Sequence, residues 1–307
     1  MGYQLRIEDS ESIFFLTNRS IESRLWFINN KELELKILSF LARYQDMYGV
    51  ELYSFVLMGN HYHLIARFPR CNKSAFMRDF NGMVSKLVSQ HVPSFRQGKL
   101  WARRYSEQVL PRNEDVEHWF FYAALNPTLS GLAKDLKSYQ GYNSFSDAVS
   151  GRSRVYEVFE KSAYEQAKWL SSSVKKADYI KRYTLSFTRL PGYEQLLAKE
   201  YKKLFFNTFG EKVSEAIRER LESGKGFTPI EVLQAQKPGA YPRSTKKSSR
   251  YSFRPLVLTL CTKTKEAFLK TYFNTLDAFR QASTELREGA LNVTFPQGTY
   301  KPYILVT

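Results

Sequence analysis

The stretch VELYSFVLMGNHYHLIARF, residues 50–68, decides how the first half of the chain is read. β-Branched and aromatic residues fill it on both sides of Gly59-Asn60, a turn-forming pair, so it is predicted as two strands joined tightly. The second strand carries His61 and His63, two of the chain's four histidines. Residues i and i+2 of a strand face the same way, so the two imidazoles project side by side. Neutral imidazoles at that spacing suit one divalent cation, and a third, oxygen ligand would leave positions open for a substrate phosphate. Two edge histidines that only hydrogen-bond would give the same spacing. The pair alone does not choose between them.

Working outward, SIFFLTNR (12–19) reads as a strand ending at Asn and Arg. NKELELKILSFLARYQDMYG (30–49) reads as an amphipathic helix, with Leu33, Ile37, Leu38 and Leu41 on one face and Gly49 at its end. A second helix is expected from about Lys73 to His91, a fourth strand over LWARRYSEQVL (100–110), and a helix after Pro111 with Asn113 as its cap. Strand, helix, two strands, helix, strand is close to a split βαβ arrangement, an α+β sheet with helices on one face.

The second half has a different texture. Helices are expected at 192–208, 211–223 and from about Lys263 to Glu288, and TPIE (228–231) looks like a capping box opening a short helix. KPGAYPRSTKKSSR (237–250) reads as a basic Pro/Ser-rich loop, and VTFPQGTYKPYILV (293–306) as extended. The chain therefore divides into a sheet domain, 1–150, and a basic, mainly helical region, 151–307, of unassigned type.

Charge follows the same division. Residues 1–150 hold 18 Lys and Arg against 15 Asp and Glu, while residues 151–307 hold 28 against 15, so +13 of the net +16 lies in the second half. So one-sided an excess points to a polyanion such as nucleic acid, and places the affinity for it mainly in 151–307. Two cysteines, Cys71 and Cys261, make no disulfide framework, which suits a reducing cytoplasm. Acidic residues precede the first apolar run, which is no signal peptide, and no apolar stretch approaches the ~20 residues of a membrane span.

Four words in fixed order carry a family resemblance: SIFFLTNR, YSFVLMGNHYHLI, LWARRY and FFYAALNPTLSGL. In order and spacing they resemble the REP-associated tyrosine transposases, relatives of the small insertion-sequence transposases within the HUH single-strand endonucleases. There the second word usually reads VLMPNHFHLL and the fourth YIHLNPVRAGL. The resemblance covers about residues 10–145. It implies a ferredoxin-like sheet (the HUH nuclease core), His61 and His63 as metal ligands around the bulky Tyr62, Tyr122 as nucleophile, and Asn126 as a further ligand. The implied cofactor is Mg2+ or Mn2+, and the implied partner is single-stranded or hairpin DNA. The implied chemistry is attack by the tyrosine hydroxyl on a phosphodiester, giving a 5′-phosphotyrosine and a free 3′-OH. Monomer and homodimer fit equally.

The residues support part of this unaided. On a helix Tyr122 and Asn126 are one turn apart on one face, although Pro127 biases Asn126 away from helical dihedrals. Trp119, Phe120 and Phe121 flank Tyr122, and an ordinary core aromatic would look the same. His118 reads as a solvated helix residue. Arg103 and Arg104 alternate on their expected strand, so one of them at most faces the site; either suits phosphate. Trp101 and Tyr105 fit base stacking or the core. Arg243, Lys246, Lys247 and Arg250 form the basic loop's candidate DNA contacts. Two departures stand out: Gly59 replaces the usual proline, which should loosen that turn, and Ser130 stands where arginine is common. Competing readings are a nucleic-acid-binding protein of this fold without cleavage, and a phosphoesterase using an activated water.

Overall fold

The computed structural model describes residues 4–96, 98–170, 173–242, 255–290 and 292–302. Its centre is a four-stranded antiparallel sheet in the order β2-β3-β1-β4, built from β1 (Ile13–Arg19), β2 (Glu51–Leu57), β3 (His61–Arg67) and β4 (Ser106–Leu110). Alternation along each strand sends side chains to two different cores. Phe14 and Leu16 of β1 and Tyr62, Leu64 and Ala66 of β3 pack under α1 (Lys31–Tyr48) and α2 (Lys73–His91). Phe15 and Ile65 face the other way, toward α3 (Asn113–Leu129) and α4 (Phe145–Ser150). The fold class is the expected α+β one; the helices of the βαβ unit share one face, and α3 covers the opposite face.

Local chemistry sets the element ends. Asn30 caps α1 by accepting from the Leu33 N–H at 2.9 Å. Gly49 stops it in the left-handed conformation at φ +65°, where a Cβ would strike the Arg70 guanidinium. Glu8 caps α2 from a distance: its carboxylate accepts the N–H groups of Lys73 and Ser74, each at 2.9 Å. The fourth strand is shorter than the sequence suggests. Trp101 makes only an isolated bridge to Ser20, residues 102–104 bend, and regular pairing starts at Ser106. Asn113 is the first helical residue of α3, and Arg112 occupies the cap position.

After α4 comes β5 (Arg154–Phe159), α5 (Lys161–Leu170) and β6 (Ile180–Leu185), with β5 and β6 paired as an antiparallel hairpin. Nothing in the sequence reading announced this unit. The outward face of its strands is exposed and carries Glu157 and Arg182, paired across the strands at 3.0 Å, while Tyr156, Val158, Tyr183 and Leu185 face inward, so the apolar alternation spans only two inward residues per strand. Arg43 of α1 holds the unit by a two-pronged ion pair to Glu160, at 2.6 and 2.7 Å.

The two helices expected at 192–208 and 211–223 are one, α6 (Ala198–Glu222), which passes through Gly210. A mid-helix glycine costs only about 1 kcal/mol. Tyr201, Phe205 and Phe209, spaced four apart, offset this by burying against α3 and α4; Phe205 stacks on Phe121 with centroids 5.4 Å apart. The short helix α7 (Ile230–Gln234) begins as expected, but Pro229 is its cap and no side-chain capping bond forms. α8 (Thr262–Arg287) is the long last helix. The tail through residue 302 has no regular structure, and its Gly298 carbonyl accepts from the Glu8 N–H at 2.8 Å. Among the described residues no helix is long and apolar enough to cross a membrane.

Candidate active site

Strand pairing places the residues of interest before any side chain is considered. In the register of β1 with β3, Arg19 opposes His61 and Thr17 opposes His63. These four and Phe15 share the sheet face on which α3 lies. The expected side-by-side histidines are present: their rings are edge to face with centroids 4.9 Å apart, and Nε2 meets Nε2 at 3.1 Å. Tyr62 between them points into the opposite core, where its hydroxyl donates to Asn81 Oδ1 at 2.9 Å.

The tautomer of His61 follows from its neighbour. Asn60 Nδ2 donates to the Ser23 carbonyl at 2.8 Å, which turns Oδ1 toward His61 Nδ1 at 2.6 Å. An amide oxygen only accepts, so the proton sits on Nδ1 and His61 Nε2 presents a lone pair toward His63. Among the described residues His63 Nδ1 has no partner, although it is buried. Burial, then the charges of His63 and Arg19, hold the His61 pKa well below its ordinary 6.5; burial and Arg19 pull His63 down to about 3. Both rings are neutral at neutral pH, the form that binds a cation. Two donors at about 2.1 Å from one ion and at right angles stand about 3 Å apart, so the observed Nε2 separation fits a shared divalent ion.

α3 brings Tyr122 to this pair. Its ring centroid is 6.1 Å from that of His63, at 80°, with Phe15 at 6.3 Å and Trp119 at 4.8 Å forming the rest of its collar. The helix continues through Pro127 to Leu129, so Asn126 keeps the one-turn relation to Tyr122 despite the proline. Asn126 is buried and its Oδ1 lies 3.4 Å from Ser130 Oγ; among the described residues no hydrogen bond joins it to either histidine. Nor do three His, Cys, Asp or Glu side chains cluster anywhere among the described residues. An ion on the histidines would complete its shell from Asn126, water or substrate oxygens.

Other sequence candidates fall elsewhere. Residues 102–104 bend, so Arg103 and Arg104 do not alternate as on a strand; Arg103 is half-buried, and Arg104 is exposed and electrostatically close to Arg6. Trp101 and Tyr105 belong to the core: Trp101 donates to the Asn81 carbonyl at 3.0 Å and meets Tyr62 edge-on, and the Arg6 guanidinium lies 3.4 Å over the Tyr105 ring. His118 is exposed, beside Trp119. The Gly59 turn is clamped rather than loosened, because Phe27 N–H bonds its carbonyl at 3.0 Å and a Cβ would strike Ile28 and Leu25. Arg243, Lys246, Lys247 and Arg250 lie outside the described residues. Arg19 and Asn60 are the site neighbours that sequence reading missed. The only available signal was Arg19 at the end of the first family-like word, since its parity with the histidines depends on a register that the sequence does not reveal.

Residues 20–115 match the family model of IS200-like transposases. Two solved structures are similar at low identity. One is the REP-associated tyrosine transposase bound to a REP hairpin, at 18% identity over 48% of this chain and 84% of that one, with a TM-score of 0.39. The other is described as a transposase by inference, from Deinococcus radiodurans R1, at 16% identity over 40% of this chain and 92% of that one, with a TM-score of 0.29. No curated protein matches.

Proposed function

Because residues 20–115 match the family model of IS200-like transposases, we propose that the chain is a metal-dependent single-strand DNA endonuclease and strand transferase, with Tyr122 as nucleophile. The observation that carries this reading is the edge-on approach of the Tyr122 ring to a neutral His61–His63 pair whose Nε2 atoms face each other. His61 and His63, with Asn126 as a further ligand, would hold Mg2+ or Mn2+, which would withdraw charge from the scissile phosphate.

The chain's own groups account for the rest. Tyr122 Oη attacks phosphorus and forms the Oη–P bond as the P–O3′ bond breaks; its proton passes to solvent, and the departing 3′ oxygen takes one up. Packing of Trp119 and Phe15 around the ring limits its motion and supplies the positioning that a weak nucleophile requires. Hairpin-forming DNA is the proposed substrate, and the basic residues 151–307 are proposed to track its backbone, Arg243, Lys246, Lys247 and Arg250 among them.

Incubation with single-stranded hairpin DNA and Mn2+ tests the reading through a denaturant-stable protein–DNA adduct. Tyr122→Phe keeps the ring and its packing, so the variant should fold and bind hairpin but form no adduct and cut nothing. Cleavage by the Phe variant at the same bond would instead make water the nucleophile, and hairpin binding without any adduct by the native protein would leave a DNA-binding protein only.

A further inference from the structure

We propose that Arg19 contacts a non-bridging oxygen of the phosphate that Tyr122 attacks, as a catalytic residue additional to the histidines; this rests on the transposase reading of the site. Arg19 is the last residue of β1, opposite His61 and on the face that carries Phe15, Thr17 and the two histidines. It is half-buried, its charge acts on His61 and His63, and Tyr122 is among the groups close enough to act on it. Among the described residues, no carboxylate acts on Arg19 or on the two histidines, and no salt bridge involves Arg19.

A guanidinium removed from water needs acceptors for its five N–H groups. The chain supplies them to its other half-buried arginines. Arg6, Arg43 and Arg67 pair with Glu107, Glu160 and Glu51. Arg24 and Arg189 donate to main-chain carbonyls at 2.9 and 2.7 Å. Among the described residues, Arg19 has only Asn60 Oδ1, at 3.4 Å, an oxygen already taken by His61 at 2.6 Å. Its fork therefore retains donors near the nucleophile, with no opposing carboxylate acting on it among the described residues. An arginine fork matches two phosphate oxygens, and the charge that builds on them during in-line attack is what it would stabilise.

The test compares native protein, Arg19→Gln and Arg19→Lys on two hairpin substrates, one with an ordinary phosphodiester and one with a neutral methylphosphonate at the cleaved bond. Arg19→Gln keeps a donor for Asn60 without the charge, and Arg19→Lys keeps the charge without the fork. On phosphodiester, Arg19→Gln should lower the single-turnover rate by about 100- to 1000-fold, as removal of one oxyanion donor does, with Arg19→Lys between the two. Hairpin affinity should change by less than about threefold. On methylphosphonate, which has no anionic oxygen to neutralise, the ratio of native to Arg19→Gln rates should collapse toward one. An equal loss on both substrates, with the native adduct still forming, overturns the phosphate contact and makes Arg19 a support for Asn60, while Tyr122 chemistry stands. Absence of any adduct from the native protein overturns both readings.

Discussion

The rings of His63 and Tyr122 meet edge to face, with centroids 6.1 Å apart, across the gap between β3 and α3. Fifty-nine residue numbers separate them, and two independent packing events produce the contact. One is the β1–β3 register, which turns His63 toward the α3 face. The other is the burial of Val116, Phe120 and Ala123 that seats α3 on the sheet. The site therefore depends on α3 staying seated as much as on its own side chains.

The histidine pair should bind a divalent ion in the absence of DNA. Mn2+ titration by calorimetry should give one site per chain, and His61→Ala or His63→Ala should weaken it by more than about tenfold, since an ion sharing two imidazoles loses half its protein nitrogens. Circular dichroism should show the variants folded. Equal Mn2+ binding by both variants would remove the pair from the metal site.

The sheet and its order of elements were legible because apolar alternation, the Gly59-Asn60 turn and the Asn30 and Gly49 helix ends all act over a few residues. The histidine pair was legible for the same reason: strand parity alone fixes it. Arg19 and Asn60 were not, because their role depends on cross-strand register and on where one amide turns. The β5–α5–β6 unit was missed because each of its strands offers only a short inward face, Tyr156 with Val158 and Tyr183 with Leu185, and the Arg43–Glu160 ion pair that anchors it to α1 is a long-range contact. α6 was split in two because Gly210 looks like a stop when the Tyr201, Phe205 and Phe209 stripe is read without its partner helix.

Acid should loosen that hairpin unit. The hydrogen bonds from Arg43 hold the Glu160 carboxyl below its usual value of about 4.5, with help from the Tyr183 hydroxyl at 2.7 Å. The unfolded chain takes up this proton at a higher pH than the folded one does. The contribution is thus complete above about pH 4.5 and is lost as pH falls through the lower folded value. At pH 7, Glu160→Gln should cost about 1–3 kcal/mol, and the gap to the native protein should close as pH drops below about 4. A gap independent of pH in thermal unfolding would show that the charge on Glu160 is irrelevant.

α6 should be part of the folding unit of the sheet domain. Phe205 is buried against Phe120, Phe121 and Tyr201, so Phe205→Ala should destabilise the whole chain by about 3–5 kcal/mol. Denaturant unfolding should remain a single transition with a lower midpoint. A loss below about 1 kcal/mol, or a separate early transition, would mean that α6 detaches without disturbing α3.

Asn60 should control metal affinity without touching the ion. It is buried, it fixes the His61 tautomer through Oδ1, and it is itself fixed by donating to the Ser23 carbonyl. Asn60→Ala leaves both the His61 Nδ1–H and that carbonyl without a partner, at a cost of about 1–3 kcal/mol in stability. The His61 ring would then be free to rotate or to move its proton to Nε2, the atom that must present a lone pair. Partners of this kind affect ligand affinity by about 10- to 100-fold, so Mn2+ binding should weaken by that factor while His63 is unaltered. Asn60→Asp discriminates further. Its carboxylate cannot donate to the Ser23 carbonyl, so the stability cost should remain, but it still accepts from His61 and can pair with Arg19, so it should restore the tautomer and much of the Mn2+ affinity while tying up Arg19. Unchanged Mn2+ affinity in Asn60→Ala would show that packing alone orients His61, and that the 2.6 Å hydrogen bond has no part in preparing the site.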